Sequence, residues 1–235
     1  MYFFINRPRI TLKILTLETS TEFCSIALKI DENIISKEVI AGHRHSEILL
    51  PMVHELLAAA ELSLQQLDGI AFGAGPGSFT GLRIACGVAQ GLACAIDLPV
   101  AAVSTLEAIA EKIAQDNVIA ALDARMGEIY HAAYRKSANG GWHIVNEPVL
   151  CLPQRAPAVS GSSWHGGGSG FDSYREVLSS HYRGNLQQIY SGLHPHAEQI
   201  AKLAAAKFHD NGGIDPALAA PIYIRNKVAL KESER

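Results

Sequence analysis

The 235-residue sequence predicts an α/β fold of two similar lobes, and three observations predict it. Residues 69–103 read as strand, glycine turn, long helix, strand. Residues 12–40 read as a three-stranded meander. The same strand pattern starts again at Asn117, as if a second unit of the first kind begins there. With 48% hydrophobic residues, the chain can bury a sizeable core as one large domain or two small lobes.

The elements follow in order. The first eleven residues place Arg7, Pro8 and Arg9 after a short apolar start, the reverse of a signal peptide, and read as a loose extension or a misplaced start. Leu12 to Glu18, Phe23 to Ile30 and Ile34 to Ile40 are apolar runs, the last two joined by Asp31-Glu32-Asn33. After Gly42-His43-Arg44-His45-Ser46, the apolar residues Ile48, Leu49, Met52, Val53, Leu56 and Leu57 recur at helical spacing, with Pro51 kinking or shortening the first turns. Ser63 caps a short turn through Leu67. Gly73, Gly75 and Gly77 then bring the chain round into a helix that opens near Ser78 or Thr80 and runs to Ile96.

That helix carries only Arg83 and Gln90 as strongly polar side chains, so almost no face of it suits water. Its Gly87, Gly91 and Ala95, four residues apart, form a smooth ridge that invites a partner helix. Ser104-Thr105-Leu106-Glu107 is a capping box for a helix to about Gln115. Strands at Asn117 to Asp123 and Glu128 to Arg135 flank the turn Asp123-Ala124-Arg125-Met126-Gly127. Beyond them prolines and glycines thicken, and only helices at about Phe171 to His181 and His196 to Phe208 stand out. The second lobe therefore reads as small and loop-rich. The expected division is a first lobe over 12–115 and a smaller second lobe over 116–235, whose C-terminal helix returns to the first.

Charge and cysteine usage exclude some classes of function. A net charge of -3 and a pI near 6.4 exert no global pull on nucleic acid, so contact with RNA must be local or made by a partner. Cys24, Cys86, Cys94 and Cys151 show neither CxxC nor metal spacing, which fits a reducing cytoplasm. No uninterrupted apolar run approaches the roughly 20 residues of a bilayer span.

The chemistry-bearing motifs remain open on residues alone. The glycine turn lacks the Gly-Lys-Ser/Thr of a phosphate-binding Walker loop and misses GxGxxG by one residue, and Pro76 and Thr80 stand where a nucleophile elbow around Ser78 needs glycines. Glu18, followed by Thr19 and Ser20 at a strand end, can hold Mg²⁺ or phosphate or can be a polar turn. His43 and His45, like His194 and His196, are spaced for a shared face but lack an evident third metal ligand. Gly166-Gly167-Gly168 can pass under an adenine or be a flexible connection. Asp123 and Arg125 make a salt-bridged turn or a phosphate-site remnant.

Five segments together carry a resemblance. Leu15-Thr-Leu-Glu-Thr-Ser-Thr21, Arg44-His-Ser-Glu-Ile-Leu-Leu-Pro51, Gly75-Pro-Gly-Ser-Phe-Thr-Gly-Leu-Arg-Ile84, Leu122-Asp-Ala-Arg-Met126 and Pro221-Ile-Tyr-Ile-Arg225 resemble, in this order, the bacterial TsaB (YeaZ) family. The resemblance implies an actin-like, Hsp70-like two-lobe fold with ribonuclease-H-type sheets and a reduced second lobe. It implies a role in forming N6-threonylcarbamoyladenosine at position 37 of tRNAs that read ANN codons. The implied partners are the catalytic subunit TsaD, the ATPase TsaE, and a second copy of the chain when TsaD is absent. ATP and metal would belong to those partners and tRNA would be met only through the complex, with no membrane involved. TsaD-type proteins carry His-Met-Glu-Gly-His after the strand that follows the long helix. Here Thr105-Leu106-Glu107-Ala108-Ile109 stands in its place, so neither imidazole remains.

Two functions from different classes follow. One is a non-catalytic scaffold that docks on TsaD through Ile48, Met52, Leu56, Ile84, Gly87, Val88 and Gly91. The other is a nucleotide-hydrolysing or metal-dependent enzyme of the actin-like or glycopeptidase type, for which Glu18, Thr19 and Ser20 are the candidate binding residues.

Overall fold

The computed structural model describes residues 11–224. The expected N-terminal extension, apart from Thr11, and Arg225 of the last motif lie outside the described residues. Three strands, β1 (Lys13–Glu18), β2 (Phe23–Ile30) and β3 (Asn33–Ile40), form the antiparallel meander. β4 (Gly69–Gly75) and β5 (Val100–Ser104) then add in parallel beyond β1, giving the order β3-β2-β1-β4-β5. Side chains alternate across β1. Leu15 and Leu17 enter a core with helix α1 (His45–Ala59) and helix α2 (Phe79–Ile96), while Ile14 enters a separate core on the opposite face.

The second sheet repeats the plan. β6 (Asn117–Arg125), β7 (Glu128–Lys136) and β8 (Trp142–Cys151) form an antiparallel meander, and β9 (Trp164–Gly167) and β10 (Leu186–Tyr190) lie parallel beyond β6, in the order β10-β9-β6-β7-β8. The two-lobe, actin-like fold is therefore present as a duplicated sheet. The expectation of a loop-rich second lobe needs correction, because its sheet has as many strands as the first. The shortfall lies in the helices. Where the first lobe inserts α1 between its third and fourth strands, the second has a single 3-10 turn, Pro153–Arg155. Where the first has α2, the second has two short helices, α4 (Ser169–Ser173) and α5 (Arg175–His181), so the single helix expected at about Phe171 to His181 is broken at Tyr174.

The triple glycine is not a flexible connection. Gly166 and Gly167 lie within β9, where a Cβ on Gly166 would sit 2.5 Å from the Phe171 ring and one on Gly167 2.6 Å from Ile113. Gly168, at φ +102°, turns the chain against the carbonyl of Ala121. Close packing on both sides explains these residues.

Helix α3 (Thr105–Ile113) buries Leu106, Ile109 and Ile113 against β6 and β7 of the second sheet. Helix α6 (Ala197–Asn211) leaves the second sheet and buries Ile200, Ala204 and Phe208 on the free face of the first, where Gly69 makes room for the Phe208 ring. Only half of the expected capping box forms on α3. Ser104 Oγ accepts from the Glu107 N–H at 3.4 Å, but the Glu107 carboxyl is buried, which raises its pKa, with Lys207 of α6 opposing that shift.

After α6 the chain runs back over α2 as a strap. Gln90 Nε2 donates to the carbonyls of Pro216 and Ala219 at 2.9 and 3.1 Å, the Ile222 N–H donates to Ala74 O at 2.7 Å, and Arg83 Nε donates to the Tyr223 hydroxyl at 2.9 Å. Both polar side chains of α2 are thus spent within the chain. By length and composition α2 is apolar enough to cross a membrane, contrary to the expectation from its interruptions. One face of it is buried in the first lobe, through Leu82, Ala85, Cys86, Ala89 and Ala93.

Candidate functional site

A cleft of about 880 Å³ opens between the lobes, lined by the β1–β2 turn, the start of α2, the β6–β7 turn, α4 and the segment 192–194. Of the candidate binding residues Glu18, Thr19 and Ser20, Ser20 lines it and the other two lie behind it. All three are buried, and their polar groups are only partly paired, with Ser20 Oγ left without a hydrogen-bond partner. The Ser20 N–H donates to the Glu18 carboxyl, Thr19 Oγ1 donates to Gly81 O at 2.7 Å, and Ser20 O accepts from the Ser78 N–H at 2.8 Å.

The glycine motif exists to make this contact. A Cβ on Gly73 would meet Glu18 Oε2 at 1.6 Å, one on Gly77 would meet Ser20 Cβ and O at 2.7 Å, and one on Gly81 would meet Thr19 O at 1.9 Å. Glu18 Oε2 has no hydrogen-bond partner, and burial lifts the carboxyl from 4.5 to about 7, against the bonds from Ser20 that lower it. A carboxyl held over Gly73 and Ile200 in apolar surroundings does not fit a Mg²⁺ ligand.

His45 is buried and its Nε2 lies 3.1 Å from Phe23 O, whereas His43 is exposed, and both line the cleft. His194 and His196 do converge, on Glu38 of β3, with Nε2 to Oε2 distances of 2.8 and 3.5 Å. The sequence holds no signal for this third group, 156 residues from His194. Yet His196 Nδ1 accepts from the Glu198 N–H at 3.1 Å to cap α6, which leaves Nε2 as the N–H of the neutral ring, the wrong tautomer for holding a metal there. Asp123 and Arg125 resolve as a polar turn. The Arg125 N–H donates to Asp123 Oδ1 at 2.8 Å, Ser173 Oγ donates to Oδ2 at 3.3 Å, and the Asp123 N–H donates to Ser169 Oγ at 3.0 Å.

The seven residues expected at a partner interface fall into two groups. Met52 and Leu56 are 5% and 7% exposed and belong to the core beneath α1 and α2, so they are not the spare apolar surface expected of them. Ile48, Ile84 and Val88 are half-buried at the rim of that core, and Gly87 and Gly91 lie exposed with nothing within 4 Å of a built Cβ. Thr80, Arg83, Cys94 and Ala95 continue this stripe along α2. At its N-terminal end the Arg83 guanidinium lies 3.8 Å over the Phe79 ring, beside Tyr223. In the Thr105 to Ile109 segment, Thr105 and Ile109 are fully buried. Thr105 Oγ1 donates to Pro76 O and Ile109 sits in the α3 core.

Comparison with known proteins gives the family. The family model described as "TsaD: tRNA N6-adenosine threonylcarbamoyltransferase" matches residues 30–160. The tRNA threonylcarbamoyladenosine biosynthesis protein TsaB of Escherichia coli K12 is 35% identical over 229 residues, which cover 94% of this chain and 98% of that protein. The protein of the same name from Haemophilus influenzae is 34% identical, covering 94% and 97%. Among solved structures, YeaZ from Pseudomonas aeruginosa is 36% identical with a TM-score of 0.83, over 90% of this chain and 99% of that one. With relatives 34–35% identical over nearly their whole length and a solved YeaZ structure of the same fold, the chain belongs to the TsaB (YeaZ) family.

Proposed function

We propose that this chain acts in tRNA threonylcarbamoyladenosine biosynthesis in the cytoplasm as a non-catalytic scaffold that binds TsaD, with TsaE joining the complex. The observation that carries the reading is the open stripe on α2. A helix with exposed glycines at positions 87 and 91, flanked by half-buried Ile84 and Val88, lets another helix approach closely and bury apolar surface. In the absence of TsaD the same stripe accepts a second copy of the chain. ATP and metal belong to the partner subunits, a reading supported by the burial of the Glu18 carboxyl over Gly73 and of Thr105 and Ile109 in the packing of α3.

Gly87→Leu or Gly91→Leu fills the ridge without touching the core, so complex formation with TsaD should fail while the circular dichroism of the isolated chain stays unchanged. Undiminished co-elution of either variant with TsaD would count against the interface. Supplied with tRNA and threonylcarbamoyl-adenylate, the isolated chain should give no modified tRNA, and at near-physiological salt it should not shift tRNA at submicromolar concentration. Turnover without TsaD, or tight stoichiometric binding of ATP and Mg²⁺ in a calorimeter, would favour the enzyme reading.

A further inference from the structure

Docking on α2 leaves the chemistry of the cleft between the lobes unused. Three carboxylates line that cleft, Glu22 from the β1–β2 turn, Asp123 from β6 and Asp172 from α4, against one guanidinium, Arg125. Arg125 lies 4.0 Å from Asp123 and is matched by it. Glu22 and Asp172 have no cation within ion-pair distance among the described residues. Asp172 Oδ2 accepts from the Gly192 N–H at 3.0 Å, which fixes that carboxylate on the wall of the second lobe. One unmatched carboxylate therefore stands on each lobe. Two buried polar groups of the cleft residues also lack partners. Ser20 is 3% exposed and its Oγ makes no hydrogen bond. His45 is 6% exposed and its Nε2 donates to Phe23 O at 3.1 Å, so Nδ1 of the neutral ring is an acceptor without a partner among the described residues. Ile84, Leu122 and Leu193 give the same cleft an apolar wall.

We propose that the cleft binds a small aliphatic polyamine, with ammonium groups on Glu22 and Asp172 and methylenes against Ile84, Leu122 and Leu193. An ammonium supplies what these walls lack. It is cationic and carries three N–H donors, which suit a carboxylate together with acceptors such as Ser20 Oγ and His45 Nδ1. A buried polar atom without a partner is costly, and a donor that reaches it removes that penalty. A phosphate-bearing ligand meets the opposite arrangement, three carboxylates against a single guanidinium that is already matched, and like charges in a cleft repel it. A divalent cation needs several oxygens grouped around one point, and among the described residues no three acidic, histidine or cysteine side chains are so grouped. Because the two unmatched carboxylates belong to different lobes, a ligand with separate charges on a flexible chain suits them better than a point charge. The cleft volume of about 880 Å³ lies within the range of small-molecule sites.

The test is an amide chemical-shift titration of the full chain with spermidine at near-physiological salt. The expected result is a set of saturable shifts over residues 20–23, 169–173 and 192–194, fitting one site with a dissociation constant on the order of 0.1 mM. Glu22→Gln should weaken binding about fivefold, the size of one exposed ion pair, and so should Asp172→Asn, which keeps an oxygen for the Gly192 N–H. Glu61→Gln, outside the cleft, should leave the affinity unchanged. Octane-1,8-diol, which has the methylenes without the charges, should give no saturable shift. Shifts spread over the acidic surface without saturation would overturn the proposal. Wild-type affinity in both Glu22→Gln and Asp172→Asn would overturn it as well, as would saturation of the same amides by magnesium chloride or ATP at equal concentration.

Discussion

Gly81→Ala is expected to destabilise the chain by about 3 kcal/mol or more, although alanine is the better helix former. In an exposed helical turn, replacing glycine by alanine gains about 1 kcal/mol. At Gly81 the added methyl would lie 1.9 Å from Thr19 O, a backbone atom of the β1–β2 turn that cannot swing away. Either α2 lifts off the turn and the Thr19 bond to Gly81 O breaks, or β1 shifts within a sheet that is packed on both faces. In a chain of this size the midpoint of thermal unfolding should fall by roughly 10 °C. Gly87→Ala supplies the contrast, since its methyl meets nothing within 4 Å and the midpoint should rise slightly. Thermal unfolding followed by circular dichroism measures both. Equal midpoints for the two variants would show that the glycine motif is not a packing device.

The second large effect is on the pH dependence of stability. The Glu18 carboxyl is raised from 4.5 to about 7 by burial, so between these values the folded chain keeps a proton that the unfolded chain has lost. Its contribution is fully present below about pH 4.5 and is lost as pH rises through about 7, on the order of 3 kcal/mol in all. His131 slopes the other way. Burial, with His181 adding to it, lowers its pKa from 6.5 to about 4, so stability falls as pH drops from about 6.5 to 4. The two slopes overlap and partly cancel in the native protein. Glu18→Gln removes only the first. Relative to wild type, the variant should gain on the order of 3 kcal/mol between pH 4.5 and 8, measured as urea midpoints across that range. Parallel profiles for variant and wild type would mean that Glu18 ionises normally in its pocket.

Much of the first lobe is legible in the sequence because its strands are central and its turns are marked. β1, β2 and β4 are short, largely apolar runs, and Asp31-Glu32-Asn33 marks the hairpin between β2 and β3. The second sheet escapes for identifiable reasons. β8 is an edge strand with Pro148 inside it and a ragged burial pattern, which reads as loop. Three of the six residues around β9, Gly166 to Gly168, are glycines whose task is to admit Phe171 and Ile113, a need set by residues elsewhere in the chain. β10, Leu-Gln-Gln-Ile-Tyr, is short and half-exposed.

At the candidate site, the glycine motif announces close approach but does not say to what. Only the fold shows that Gly73, Gly77 and Gly81 are each fitted to a neighbour among Glu18, Thr19 and Ser20. Met52 and Leu56 belong to the same apolar stripe as Ile48, and periodicity alone could not tell which part of a broad stripe turns inward. The strap over α2 is invisible for a different reason, since Gln90 binds backbone carbonyls, which carry no residue identity.

Because α6 comes from the end of the chain yet covers the first sheet, the order of synthesis and the order of completion differ. When the last residue of β5 leaves the ribosome, the face of the first sheet that holds Ile14, Ala71, Ala101 and Val103 has no cover, and it stays bare until the segment 197–208 follows. The second lobe, made later, can close its own sheet first, with α3 on one side and α4 and α5 on the other. A nascent or truncated chain that stops before Ala197 therefore presents an apolar sheet face to its surroundings, which makes incomplete copies of this protein substrates for holding chaperones and for proteases rather than folded half-molecules.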